Sequence, residues 1–324
     1  MSRRGWVLFA AMSVIWGIPY LLIKVAVGGV PAPVLVLARV AIGAALLLPV
    51  ALRRRQLGEL RPYWRWLIVF AAVEIIVPWL MLSEAERKLT SSMSGLLVAS
   101  VPIIGAVLAR LTGDADRLTL VRWTGLLTGL AGVALLVGPG ASGGDALSIG
   151  EIMIVAVCYA TGPLIAGRKL SQAPPVALTA VCLALAAVAY APAAALTWPS
   201  AMPSARVLIA LGVLAVICTA AAFLVFFRLI AEIGPARSTV ITYVNPAVAV
   251  TLGVLILGER LTPAMAGAFA LILGGSVLAT RPGARRGQQT GLAPEPGLAP
   301  QSGPVRVRAG SGGATPAPCA PHGD

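Results

Sequence analysis

The chain has 324 residues, of which 58% are hydrophobic and only 11% are charged, and its net charge is +13. A soluble domain normally carries charge on about a quarter of its residues, so this composition excludes an ordinary soluble fold. The positive charge does not indicate a nucleic-acid partner. The Arg and Lys residues stand at the ends of apolar blocks, where determinants of membrane topology are found.

The apolar residues form blocks of about 20, and a helix of that length crosses the hydrocarbon core of a lipid bilayer. Lipid offers the backbone no hydrogen bonds, so these blocks must be helical. The sequence therefore predicts an all-α integral membrane protein. Its ten predicted spans cover about residues 6–27, 33–52, 64–84, 91–111, 119–138, 149–168, 176–197, 206–228, 237–257 and 262–280.

The two ends of the chain need separate interpretations. The start, MSRRG followed by an apolar block, resembles a signal peptide. The block is long, however, and another span follows at once, which indicates a retained first helix. Residues 281–324 are rich in Pro, Gly and Ala, and this composition predicts a disordered cytoplasmic tail.

The basic residues of the short loops predict the orientation. If the N-terminus lies in the cytoplasm, seventeen Lys and Arg residues of the loops and span ends fall on the cytoplasmic side and four on the outer side, with Lys24 and Arg39 not counted. Short cytoplasmic loops carry an excess of Lys and Arg, so both termini are predicted to be cytoplasmic.

A repeat relates the two halves of the chain. Pairs at an offset of 144 residues are Pro19 with Pro163, Lys24 with Arg168 and Pro102 with Pro246; Thr119 with Thr262 and Gly132 with Gly275 differ by 143. The offset covers five spans, an odd number, so the second copy must enter the membrane from the opposite side. Inverted repeats of this kind occur in many secondary transporters. The predicted repeats cover residues 5–138 and 149–280.

Proline removes a helix hydrogen bond and bends a membrane span, which frees a carbonyl group to line a cavity. A single proline is more often a kink that serves packing. The two repeated pairs nevertheless favour a role at a cavity or hinge. Pro19, Pro102, Pro163 and Pro246 are therefore the predicted hinge residues.

Four stretches carry a family resemblance: WGIPYLLIKVAV, LARVAIGAALLLPVAL, SEAERKLTSSMSGLLVASVPIIGAVLARL and IGPARSTVITYVNPAVAVTLGVLILGERLTPAMAGAFALILGGSVLA. They resemble the drug/metabolite transporter superfamily, specifically its EamA-type ten-helix members. The LGERLT turn after a proline helix is the most specific part. The first copy has TGDADRLT where the family has a Gly-Glu-Arg turn.

The resemblance implies transport of small metabolites; amino acids, sugars, nucleotide precursors and drugs are all substrates of the family. We expect a secondary carrier of the bacterial inner membrane that works by alternating access, with export favoured. The proton gradient or simple exchange would drive it.

One acidic residue and two basic residues inside or at the edge of spans are the first candidates for the site. Glu74 lies about ten residues into span 3, near the bilayer centre, where an acid costs roughly 3 kcal/mol. It is either a proton-coupling or substrate-amine site, or a protonated acid bonded to a neighbouring helix. Arg39 and Lys24 either reach toward water along their apolar stems or guide an anionic group such as a carboxylate.

Aromatic and polar side chains near the repeated prolines suit a cavity for a partly apolar solute. Each of them alone is more often a packing residue or an interfacial anchor. The amide beside Pro246 needs a partner, and the freed backbone is a candidate. These further candidates are Trp16, Tyr20, Tyr159, Thr242, Tyr243 and Asn245.

Other features have structural interpretations. Glu259 and Arg260 are expected to cap and stabilise the hairpin of spans 9 and 10. Gly125 and Gly129 form a GxxxG pair in span 5, which allows close helix contact. That contact lies either within the monomer or in a homodimer. Span 10 has the same spacing at Ala266, Ala270 and Gly274.

Four other functions fit the sequence less well. A membrane enzyme or an ATP-driven pump lacks support, because no metal cluster, carboxylate pair within one span or Walker-type loop occurs. We therefore expect neither a cofactor nor a metal site. A channel does not need an inverted repeat. A membrane scaffold that transports nothing would not explain a midplane acid together with repeated kinks.

Overall fold

The computed structural model describes residues 2–112, 120–137, 145–233 and 241–279, and the regular structure in these ranges is entirely helical. Eight helical spans are long and apolar enough to cross a membrane. Two shorter apolar helices follow at the places predicted for spans 9 and 10. The predicted all-α, ten-helix class is confirmed. Residues 113–119 of the TGDADRLT turn and the predicted disordered tail lie outside the described residues.

Seven of the ten spans are single helices. They are Arg3–Ala26 (span 1), Ala32–Arg53 (span 2), Leu120–Val137 (span 5), Ala146–Lys169 (span 6), Pro175–Leu196 (span 7), Ile241–Leu257 (span 9) and Pro263–Ala279 (span 10). The largest cluster of buried apolar side chains takes members from all ten spans.

The other three spans are irregular. Span 3 joins Trp64–Ala71, a π-helical turn at Ala72–Ile76 and Val77–Lys88; Gly58–Tyr63 forms a short 3₁₀ helix before it. Span 4 is broken into Ser91–Val98 and Val101–Leu111. Span 8 joins Ala205–Ala215, a π-helical turn at Val216–Ala221 and Ala222–Ile233.

Local chemistry explains several helix starts. Thr90 accepts a hydrogen bond from the Met93 N–H at 3.1 Å and caps span 4. Asp145 accepts one from the Ser148 N–H at 3.0 Å and caps span 6. Such caps satisfy N–H groups that have no partner within the helix. Spans 2 and 7 instead begin with proline in the first turn, where its missing N–H costs nothing.

The inverted repeat is visible in the packing. Span 2 packs along span 7, and span 5 packs along span 10, and the members of each pair are related by the repeat. The two π-helical turns begin at Ala72 and Val216, which are 144 residues apart. A π-helical turn holds one extra residue and is rare, so the repeat extends even to this irregularity.

The glycines of span 5 pack against span 10 of the same chain. A Cβ atom on Gly275 would lie 2.6 Å from the carbonyl oxygen of Gly125 and 2.6 Å from the Cα of Gly129. The GxxxG pair is therefore used within the monomer, which decides between the two alternatives for that pair. Gly274, with Ala266 and Ala270, is exposed on a different face of span 10.

Contacts between helix ends agree with ten spans of alternating direction. At one end, which we call the Lys24 end, the end of span 1 meets the end of span 3, and Lys88 pairs with Asp145. At the opposite end, called the Ser2 end, the Ser2 hydroxyl donates to Glu232 at 2.5 Å. There the Arg168 Nη2 also donates to the Thr112 carbonyl at 3.2 Å.

Candidate functional site

Arg39 is a buried cation among apolar helices. It lies about 10 Å into span 2, and only 6% of its surface is exposed. Its Nε donates to the Thr219 hydroxyl, in the π-helical turn of span 8, at 2.9 Å. Its guanidinium carbon lies 3.6 Å from the centre of the Trp79 ring, a cation–π contact. Three spans therefore meet at this side chain.

One edge of the Arg39 guanidinium has no protein partner among the described residues. The Nε hydrogen bond is its single hydrogen bond there, and no carboxylate forms a salt bridge with it. Buried charges are normally paired. The two terminal amino groups form a planar fork that suits a carboxylate or phosphate. The arrangement thus offers a position for an anionic group.

Two tyrosines complete the surroundings of Arg39. Tyr20 of span 1 is buried, Tyr159 of span 6 is half-buried, and both interact electrostatically with Arg39 and with each other. Aromatic rings with polar tips can contact an apolar body and still bond a polar group. We call Tyr20, Arg39, Trp79, Tyr159 and Thr219 the Arg39 cluster.

Glu74 lies in the π-helical turn of span 3. Its carboxyl group packs directly against Gly162 of span 6, and a side chain at that position would occupy the same space. Its Oε2 is buried and has no hydrogen-bond partner among the described residues. Tyr159 interacts electrostatically with both Glu74 and Arg39, which connects the acid to the Arg39 cluster.

Lys24 makes contacts that the sequence did not indicate. Its Nζ donates to the backbone carbonyls of Glu86 and Leu89, at 2.7 and 2.8 Å. These carbonyls belong to the last turn of span 3 and the residue after it, where no helical donor follows. Lys24 therefore ties the ends of spans 1 and 3 together.

Glu259 joins the two repeats at the Lys24 end. Its oxygens accept from the N–H groups of Ser91 and Ser92, at 2.7 and 2.9 Å, and from both hydroxyls, at 2.9 and 2.5 Å. Gly258, at φ +67°, adopts the left-handed backbone that turns the chain before it. Glu259 is a capping residue as expected, but the helix that it caps is span 4. Arg260 is exposed.

Glu86 is a buried acid that the sequence interpretation missed. It is 0% exposed, and neither carboxyl oxygen has a hydrogen-bond partner among the described residues. The predicted span 3 ended at residue 84, whereas the helix continues to Lys88. Leu82, Ala85, Glu86 and Leu89 are all buried, and this spacing marks one face of a helix.

The remaining candidates contact other spans. The Trp16 ring lies 4.6 Å from that of Phe226 and 6.1 Å from that of Phe223, both in span 8. The Asn245 amide nitrogen, oriented to face carbonyl oxygens, donates to Ser13 at 3.1 Å and Ile241 at 2.9 Å. Asn245 thus joins span 9 to span 1.

Two candidates of span 9 lie near its start. The Tyr243 hydroxyl donates to the Ser276 carbonyl of span 10 at 3.4 Å. Thr242 precedes it on the same helix. Ser276 does not belong to the Arg39 cluster.

The four prolines differ in their surroundings. Pro102 follows the break in span 4, at the start of its second helix. Pro19, Pro163 and Pro246 lie inside continuous helices. Their predicted role as hinges stays a prediction.

A groove of about 170 Å³ opens at the Ser2 end between spans 3, 4 and 6. Thr161, one of its lining residues, precedes Gly162, against which the Glu74 carboxyl group packs. The lining residues are Trp66, Thr112, Thr161, Leu164, Ile165, Arg168 and Lys169.

The profile of the EamA-like transporter family matches residues 3–138 and 147–281. The uncharacterized inner membrane transporter YedA of Escherichia coli (strain K12) is 28% identical over 255 residues, 78% of this chain and 82% of the relative. The uncharacterized transporter YvbV of Bacillus subtilis (strain 168) is 24% identical over 281 residues, 84% of this chain and 90% of the relative.

One solved crystal structure shares the fold, with a TM-score of 0.62 and 23% sequence identity. The match covers 86% of this chain and 97% of that chain. The family match extends over most of the chain and includes the spans that carry the Arg39 cluster. This protein therefore belongs to the EamA-like transporter family.

Proposed function

We propose that this protein is a secondary carrier that exports small carboxylate-bearing metabolites, such as amino acids, related solutes or drugs. Arg39 is the observation that carries the proposal. A buried guanidinium without a paired acid among the described residues, and with its terminal amino groups unbonded, is suited to an anionic solute. Relatives named as inner membrane transporters support the same membrane for this chain. No catalytic step is proposed.

Alternating access is supported by the inverted repeat together with the contacts at the Lys24 end of the bundle. Lys24 and Glu259 tie helix ends together there. The loop charges predict that the Lys24 end faces outward and that both termini are cytoplasmic. The conformation described here would then be closed to the outside. Exchange of the roles of the two inverted repeats would open the Lys24 end.

Glu74 fits the second charge of an amino acid. Tyr159 interacts with both Glu74 and Arg39, so a zwitterion lying along this tyrosine could place its carboxylate at Arg39 and its ammonium at Glu74. The predicted proton-coupling role of Glu74 remains an alternative for the same residue. To test the need for Glu74, metabolites are measured inside and outside cells that overproduce either the parent or Glu74→Gln. A solute that shifts with the parent alone would show that the acid is required for transport. An equal shift with both would show that Glu74 is structural.

Transport by the purified protein in liposomes tests the proposal. We expect saturable counterflow of labelled carboxylates and none of their neutral amides, because an amide lacks the charge that Arg39 binds. Arg39→Gln should abolish this preference, and Arg39→Lys, which keeps the charge but not the fork, should keep part of it. Equal flux of acids and amides would contradict an anion site. Flux without saturation would favour a channel, and no flux would favour a scaffold.

A further inference from the structure

We propose that the groove between spans 3, 4 and 6 at the Ser2 end binds one anionic phospholipid, with the phosphate at Lys169 and Arg168 and an acyl chain along span 6. The inference goes beyond the proposed carrier and does not depend on it, because no residue of the Arg39 cluster lines this groove. It gives a ligand to a groove to which the proposed function assigns no role.

The groove combines a cationic end with an apolar wall. Thr161, Leu164, Ile165 and Arg168 of span 6 line it, and their spacing places them on one face of the helix. Arg168 and the adjacent Lys169 stand in the last turn. From Thr161 to Arg168 the groove follows the helix axis for about 10 Å. A ligand with a charged head and an apolar chain matches this order of side chains.

The apolar wall continues onto an exposed face of span 6. Ile154 and Val157 precede Thr161 on the same helix face, and both are exposed. The whole stripe, from Ile154 to Arg168, runs for about 21 Å along the helix axis. One leaflet contributes roughly 15 Å of hydrocarbon, half of the bilayer core. An acyl chain whose headgroup lies at Arg168 therefore meets span 6 along its full depth in the leaflet.

Neighbouring side chains hold the two cations at the Ser2 end of the groove. The Lys169 Nζ lies 5.1 Å from the centre of the Trp66 ring, a cation–π contact. Lys169 forms no salt bridge with any acid in the described part of the chain, so its three N–H donors suit an anion. The Arg168 Nη2 donates to the Thr112 carbonyl at 3.2 Å, which places the guanidinium between spans 4 and 6.

The position of the groove in the membrane favours a lipid as the occupant. Trp66, exposed near the start of span 3, is a residue type enriched where a membrane meets water. The loop charges predict that this end is cytoplasmic, and the cytoplasmic leaflet carries anionic lipids. Basic pockets between membrane helices on that side bind anionic headgroups. A free phosphate would use the cations and leave the apolar wall without a partner.

A lipid bound here would contact both repeats. Trp66 and Thr112 belong to the first repeat, whereas Arg168 and Lys169 belong to the second. The lipid would therefore join the repeats at the Ser2 end, as Glu259 does at the Lys24 end.

Native mass spectrometry of the full chain, released from detergent, tests this inference. Titration with phosphatidylglycerol, and separately with zwitterionic phosphatidylcholine, gives the dissociation constant of the first bound lipid. We expect phosphatidylglycerol to bind more tightly to the parent. Lys169→Gln should weaken its binding about fivefold, the effect of one cation close to an anionic headgroup. Lys169→Arg, which keeps the charge, should retain the parent affinity.

Two further variants separate the groove from general surface charge. Arg65→Gln is the matched control, because the Arg65 guanidinium also lies over a tryptophan, Trp64, at 5.2 Å, but neither residue lines the groove. It should leave phosphatidylglycerol affinity unchanged. Leu164→Trp adds bulk to the apolar wall without changing the charge, and it should weaken the lipid.

Several outcomes would overturn the lipid site. Equal affinity of the parent for the two lipids would show that the cations select no headgroup. Equal losses in Lys169→Gln and Arg65→Gln would show attraction by surface charge alone. Glycerol phosphate bound as tightly as phosphatidylglycerol, or an unchanged affinity in Leu164→Trp, would exclude a role for the acyl chain. The carboxylate preference of Arg39, measured as flux in liposomes, is unaffected by each of these results.

Discussion

The two repeats share a π-helical turn but not the charges of Arg39 and Glu74. The π-helical turns of spans 3 and 8 begin 144 residues apart. At the same offset, however, Glu74 corresponds to Cys218, and Arg39 corresponds to Leu183. The scaffold is thus present twice, while the charged groups of the site lie on one copy. A carrier built in this way can keep a symmetric mechanism with an asymmetric binding site.

Each repeat also holds the π-helical turn of the other. Span 2 contributes Arg39, which donates to Thr219 in the turn of span 8. Span 7 contributes Tyr190, whose hydroxyl donates to the carbonyl of Ile76 in the turn of span 3. Spans 2 and 7 are related by the repeat, so both repeats make a hydrogen bond from this span to the π-helical turn of the other repeat. The arginine adds an open guanidinium edge that the tyrosine lacks.

The largest effect is expected where the repeats are most alike, at the contact of spans 5 and 10. Gly275→Ala should cost about 3 kcal/mol or more, because the added Cβ would overlap the backbone of Gly125 and Gly129. Gly274→Ala is the control, since its Cβ would meet open space. Thermal unfolding in detergent measures both, and equal stability of the two variants would contradict the packing described.

Moving the guanidinium from span 2 to the repeat-related span 7 tests whether the two repeats differ chemically. Arg39→Leu should weaken carboxylate binding by roughly 100-fold, the scale of a lost charge-assisted hydrogen-bond pair. Adding Leu183→Arg to this variant places a guanidinium at the repeat-related position. We expect no recovery, because Leu164 and Ile15, which correspond to Tyr20 and Tyr159 at the same offset, carry no hydroxyl group. Equilibrium binding of benzoate measures the effect, and recovery would show that the repeats are chemically equivalent.

The two ends of the bundle give a smaller effect. Glu259→Gln replaces an acceptor of four hydrogen bonds by a group with donors of its own, and it should cost about 2 kcal/mol. Labelling of cysteines introduced at the Lys24 end should rise, because the contact between the repeats is weakened. Arg260→Gln, in the same turn but exposed, should leave both readouts unchanged. Equal effects of the two substitutions would contradict the cap.

The smallest effect on stability is expected at the hydrogen bonds to the two π-helical turns, which we expect to differ in their importance for binding. Tyr190→Phe removes one hydroxyl and should cost about 1 kcal/mol of stability with carboxylate binding unchanged. Thr219→Val removes the partner of the Arg39 Nε and should instead lower carboxylate affinity. Melting temperature and benzoate affinity, measured for both, separate the two roles. A loss of affinity in Tyr190→Phe would show that both turns serve binding.

The sequence predicted the spans because lipid imposes one simple requirement, a long apolar helix. Span 5, for example, was expected at about 119–138 and is Leu120–Val137. The arrangement of the site was harder to predict from the sequence. A π-helical turn has no composition of its own, so the turn that carries Glu74 could not be read from the residues around it.

Glu86 illustrates the limit most clearly. It stands in SEAERK, a run whose charges suggest a loop at the membrane surface. In the helix, Arg87 and Lys88 are exposed while Glu86 is buried, so neighbouring charges have opposite surroundings. A hydropathy average over a window of residues cannot separate a buried Glu86 from its exposed neighbours. The helical spacing of Leu82, Ala85, Glu86 and Leu89 was the available indication, and it required the helix to continue beyond residue 84.

The matching π-helical turns also bear on the history of the chain. An extra residue acquired after duplication would be present in one half only. Its presence at the same offset in both halves is what an insertion in an ancestral five-helix protein, before the gene doubled, would leave. That ancestor would have worked as a pair of identical chains inserted in opposite orientations. The charged residues found on one half alone would then date from after the fusion, when the two copies were first free to diverge.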